Sequence, residues 1–144
     1  MLLEFDVVNA VARELEDRGY TILEGLKPTQ RGHDIVARRQ GRQPRTLYIE
    51  AKGETSSRID SQRFGKPLDS AQAKIHVAEA FFTAAEPLVD TSQSPEVKVG
   101  IALPDNELHR RYEAAIHEVL MNLGIAVFWV LKDWTVQVDS TWRV

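Results

Sequence analysis

The sequence predicts an α/β fold, a mixed central sheet with helices on both sides, and three observations predict it. Stretches with the period-two pattern of strands alternate along the chain with stretches of helical period. The helical stretches carry end signals, Gly19 and Gly124 after the first and third and Pro87 behind the second. The segment Tyr48-Ile49-Glu50-Ala51-Lys52 alternates so that Glu50 and Lys52 share one strand face while Ile49 and Ala51 take the other.

Taken in order, Phe5, Val8, Ala12 and Leu15 recur at helical spacing, which predicts a first helix over about Glu4 to Arg18 capped by Gly19. Tyr20 to Leu23 reads as a short strand, and Lys27 to Gly32 as a loop. A hairpin follows, with strands at His33–Arg39 and Thr46–Lys52 and a turn at Gly41-Arg42-Gln43-Pro44. The polar, unpatterned run from Gly53 to Pro67 is a loop long enough to face a substrate. A second helix starts at Asp69 or Ser70, presents Ile75, Ala78 and Phe82 to the sheet, and ends near Ala85 before Pro87. Glu96–Leu103 is a buried strand, Asn106–Leu123 a third helix closed by Gly124, and Ile125–Leu131 with Trp134–Val138 a final hairpin turning at Lys132-Asp133. The order is α-β-β-β-α-β-α-β-β.

Composition narrows the chemistry. The chain of 144 residues is expected to be one domain, residues 1–144. No apolar run approaches the roughly 20 residues that span a bilayer, and the start has no signal-peptide pattern, so no membrane partner and a cytoplasmic location are expected. Without cysteine a metal would be held by oxygen or imidazole, which favours hard cations. A net charge of −3 provides no global footprint for nucleic acid, although Arg38, Arg39, Arg42 and Arg45 together with Arg58, Arg63 and Lys66 could form one basic face.

The hairpin would bring Asp34 across from the end of the second strand, so that Asp34, Glu50 and Lys52 converge. Two carboxylates and the carbonyl of Ala51 can hold Mg²⁺ or Mn²⁺, an ion that keeps several waters in an octahedral shell. Lys52 would then orient a water and stabilise the charge that builds on a phosphate. The expected reaction is phosphodiester hydrolysis. His33 lines this group, whereas His76, His109 and His117 lack ligand spacing and read as ordinary helical histidines. Trp129, Trp134 and Trp142 read as packing residues, and no G-x-S-x-G elbow supports a serine nucleophile.

Asp34 with Glu50-Ala51-Lys52, in the form Gly32-His33-Asp34-Ile35, resembles the PD-(D/E)XK nuclease superfamily, which includes Holliday junction resolvases and repair nucleases. The resemblance covers helix one through Leu103, with His33 where proline gives the motif its name. It implies a restriction-endonuclease-like αβββαβ core with an added C-terminal helix and β-hairpin, and an Mg²⁺-dependent endonuclease acting on nucleic acid, expected to be DNA. It also implies an acid on the first helix, assigned to Glu4 with Glu14 as the alternative, and a glutamine on the second, assigned to Gln72. Ser56, Ser57, Arg63 and Lys66 are expected to contact substrate phosphates. A homodimer is expected if both strands of a duplex are cut. The alternative is an inactive nuclease-fold module that binds a protein partner or nucleic acid.

Overall fold

The computed structural model describes residues 1–24, 33–56, 58–91 and 94–144. Residues 27–32 of the expected loop, Gly32 of the motif among them, and Ser57 lie outside the described residues. The described residues form α1 (Glu4–Asp17), β1 (Thr21–Glu24), β2 (Ile35–Arg39), β3 (Arg45–Ala51), α2 (Ser70–Thr91), β4 (Val97–Pro104), α3 (Glu107–Asn122), β5 (Ile125–Val130) and β6 (Val136–Asp139), the order expected.

The six strands lie in one sheet in sequence order. β1, β2 and β3 run antiparallel, β3, β4 and β5 parallel, and β6 returns antiparallel to β5. Parallel neighbours need crossovers, and α2 and α3 supply them on one face of the sheet. α1 covers the other face. Leu47, Ile49 and Ala51 of β3 are fully buried beneath α1, while Tyr48 packs on the side of α2 and α3. The period-two reading of β3 therefore holds residue by residue.

α1 ends in a Schellman turn, with Tyr20 donating to the Leu15 carbonyl at 2.9 Å and Gly19 to that of Glu16 at 2.9 Å. Gly19 has φ of 92°, which explains glycine there. The buried face of α1 differs from the one expected: Val7, Val8, Ala10, Val11 and Leu15 are buried, whereas Phe5 is 56% exposed. The first turn is rotated so that Glu4 faces the end of β3, and its neighbour Phe5 is carried outward.

α2 departs further. Its buried stripe is Ala73, Val77, Ala80 and Ala84, continued by Leu88, and the expected Ile75, Ala78 and Phe82 are exposed. The helix carries apolar residues around most of its circumference, so periodicity alone does not choose a face. The small alanines do, because they allow close approach to β3, β4 and α3. The helix also passes through Pro87 to Thr91 instead of ending at Ala85. Leu88 extends the packed stripe beyond the proline, offsetting the single backbone bond that proline cannot make. In the final hairpin β6 begins at Val136, and Trp134 stands in the turn at φ 71°.

Gly100 marks the tightest packing of β4. A Cβ there would lie 2.8 Å from Cε2 of the fully buried Phe128 and 3.1 Å from the Ala126 carbonyl oxygen. Gly100→Ala is expected to destabilise the protein by about 1–3 kcal/mol, seen as a lower urea midpoint with unchanged m.

Candidate active site

The site is built where β2 begins and β3 ends. Ile35 pairs with Ile49 in the antiparallel register, so Asp34 stands opposite Glu50, on the same side of the sheet. The Asp34 carboxylate accepts a 2.7 Å hydrogen bond from the Ala51 amide, which fixes it to the strand carrying Glu50. The Asp34 and Glu50 side chains are near enough to influence each other's protonation. Two carboxyl groups so placed share a proton or require a cation.

Lys52 follows β3, its amide bonded to the Ala102 carbonyl at 3.0 Å. Its Nζ lies 3.6 Å from Glu50 Oε1 and 3.2 Å from Glu79 Oε2. Burial alone would lower the pKa of this ammonium, but Glu50 and Glu79 outweigh it and the net shift is upward. Lys52 is a firmly charged cation in the site.

Glu4 joins this group from the opposite face of the sheet. Residues 2–4 cross the end of β3 at Gly53, where a Cβ would meet the Glu4 nitrogen and the Leu3 carbonyl carbon. Reciprocal bonds hold the crossing: Glu54 donates its amide to the Leu2 carbonyl at 2.7 Å, and its carboxylate accepts from the Leu2 amide at 2.6 Å. Burial raises the Glu4 pKa to about 7, reinforced by Asp34. Glu50 is likewise pushed up to about 7 by burial and then by Asp34, and burial also raises Asp34. With Glu79, four acids thus surround one lysine.

Among the described residues no group of three or more His, Cys, Asp or Glu side chains is placed to hold a metal ion. An octahedral ion that keeps its waters does not need one. Asp34 and Glu50, which stand opposite each other and resist joint ionisation, are the residues that could hold a divalent cation. The alternative first-helix acid, Glu14, pairs with Arg18 at 3.4 Å near the other end of α1.

Gln72 is not brought to the carboxylates. Its Oε1 accepts from the Asp69 amide and its own amide donates to Asp69 Oδ1, both at 2.9 Å, which closes a capping box on α2. One and two turns further on, His76 and Glu79 are the α2 residues that reach the site. His33 stands beside Asp34, its ring 4.9 Å from that of Tyr48. Ser56 accepts from the Arg58 amide at 3.3 Å, Arg63 lies 3.7 Å from Asp69, and Lys66 is exposed. Arg38, Arg39 and Arg45 lie at the hairpin end of β2 and β3, away from the site, so the basic residues do not form one face. They are used in packing instead: Arg38 bonds Thr46, and Arg39 and Arg45 stack on Tyr20 and Trp142.

With no family model and no curated protein matching the chain, the reading rests on the site itself.

Behind Lys52 lies a polar network that periodicity did not reveal. His76 donates to the Gly53 carbonyl, and its ring lies 6.0 Å from that of the buried His109. His109 Nδ1 is 2.9 Å from Asn106 Oδ1, and the Asn106 amide donates to Glu54 at 3.0 Å. Burial, then the neighbouring His76, lowers the His109 pKa to about 4, so this pair is neutral at physiological pH. The network ties α2, α3 and the α1 crossing to the two residues after Lys52. The signals available in the sequence were Gly53, directly after the lysine, and the helical spacing of Gln72, His76 and Glu79.

The raised carboxyls have a consequence for pH. Their folded-state pKa values exceed the unfolded ones, so the stability they contribute is fully present below about pH 4.5 and is lost as pH rises through about 7. A divalent cation must displace those protons. Mn²⁺ is therefore expected to bind more tightly at about pH 8 than at about pH 5.5 and to raise the melting temperature more at the higher pH, read by calorimetric titration and thermal unfolding.

Proposed function

We propose that this chain is a metal-dependent nuclease of the PD-(D/E)XK type, with a restriction-endonuclease-like core, hydrolysing phosphodiester bonds in DNA. The observation that carries this reading is Asp34, bonded to the Ala51 amide and standing opposite Glu50 at the end of β3, with Lys52 3.6 Å from Glu50. Asp34, Glu50 and the Ala51 carbonyl would hold Mg²⁺ or Mn²⁺, which would supply a lowered water pKa and a polarised phosphate. Glu4, reaching in from α1 on the other face, adds negative charge to the group. Lys52 orients the attacking water and stabilises charge on the phosphate oxygens, and Glu79 holds the ammonium in place. A duplex break takes two such sites, which a homodimer supplies.

No helix among the described residues is long and apolar enough to cross a membrane, and a cytoplasmic location is part of the proposal. The test is incubation of supercoiled plasmid, single-stranded, forked and junction DNA with Mg²⁺ or Mn²⁺, comparing wild type with Asp34→Ala. Cutting by wild type alone supports the reading. Equal inactivity on every substrate, despite intact folding, overturns it in favour of a non-catalytic binding module.

A further inference from the structure

The run from Arg58 to Lys66 exposes Ile59 at 82% and Phe64 at 38%, beside the exposed side chains of Arg58, Arg63 and Lys66. These three cations are accompanied by one acid, Asp60. The run is a chain of turns: Ser61 donates to the Arg58 carbonyl, Phe64 to that of Ser61 and Lys66 to that of Arg63, at 3.0 to 3.1 Å. It is pinned to the end of β3. Buried Thr55 bonds the Arg63 carbonyl at 3.0 Å, and Leu68 bonds the Glu54 carbonyl at 3.3 Å, two residues beyond Lys52. Its ion pairs, Arg58 with Asp60 and Arg63 with Asp69, are largely solvent-exposed and exchange readily for phosphates.

Resting on the nuclease reading, we propose that this run is the substrate clamp of the site, and that Ile59 and Phe64 engage the faces of unpaired bases. Phosphates are what exposed arginines and lysine beside a phosphodiesterase site would meet. A paired and stacked duplex hides its base faces, so an exposed isoleucine and phenylalanine gain apolar contact without an unstacking cost where the stack is already open. The substrate class is therefore nucleic acid with unpaired bases next to the bond that is cut: a single strand, a gap or a flap. The Asp69–Gln72 box and the Thr55 bond leave this surface formed before substrate arrives.

The experiment measures binding without cutting. The full chain carrying Lys52→Ala is titrated with Mg²⁺ present against fluorescein-labelled single strand, gapped duplex and fully paired duplex. Ile59→Ser with Phe64→Ala is expected to raise Kd about tenfold for the first two and to change paired duplex little. Arg58→Ala with Lys66→Ala is expected to weaken all three and flatten the dependence on salt. All these residues are exposed, and circular dichroism verifies the fold. Unchanged Kd for every DNA in the Ile59 and Phe64 variant overturns the proposal. So does an equal loss on all three. Cleavage by the unmodified chain, assayed separately, distinguishes failure of the clamp from failure of the nuclease reading.

Discussion

Replacing Lys52 with alanine is expected to reduce metal-dependent cleavage by about 10²–10³-fold while cation binding survives, since one charge-stabilising donor is worth that much when aimed at a transition state. The two effects separate because of how the site is charged. Lys52 is the cation nearest Glu50, and removing it leaves Glu4, Asp34 and Glu50 more in need of a divalent ion. Mn²⁺ affinity should therefore hold or rise as turnover falls. Asp34→Ala should lose both. Wild-type cleavage in Lys52→Ala would reduce the lysine to a counter-ion and remove the chemical argument. Lys52→Arg keeps the charge but changes the shape of the donor, so partial activity is expected of it.

The second large effect is expected at Gly53, which takes no part in the chemistry. An added Cβ meets the backbone of Leu3 and Glu4, and backbone cannot swing aside as the end of a flexible side chain can. Gly53→Ala should lower stability by about 2 kcal/mol or more and weaken cation binding by displacing Glu4. Glu4→Gln isolates the second effect, because it removes the charge and leaves the crossing intact. If Gly53 acts through Glu4, the two substitutions combined should weaken Mn²⁺ binding no more than Gly53→Ala alone. Simple additivity would assign Gly53 a purely structural role.

Strand pattern made the centre of this site legible in advance. Alternation placed Glu50 and Lys52 together, and the hairpin's register brought Asp34 opposite Glu50, because both follow from local geometry. Glu4 could only be a choice among acids, since the crossing that delivers it depends on tertiary packing. Glu79 and His76 were hidden for a related reason: α2 is apolar on more than one side, so its contact face could not be read from spacing. Gln72 shows the opposite error. Its position fits a site residue, but three residues after Asp69 it also completes a helix cap, and the hydrogen bonds favour the cap. The reach of α2 past Pro87 depended on Leu88 finding packing partners, which no local rule supplies.

The crossing of residues 2–4 over Gly53 also sets when the centre can form during folding. Glu4, Asp34, Glu50 and Glu79 come from four separate elements or their edges, and joining them requires long stretches of chain to close before any of these contacts is gained. A β2–β3 hairpin formed early would hold Asp34 and Glu50 but lack Glu4 and the α2 carboxylate that steadies Lys52. Glu4 can join them only once the amino-terminal helix is docked across Gly53. The full set of carboxylates is thus present only in the docked fold, and the cation affinity expected of it would report that docking.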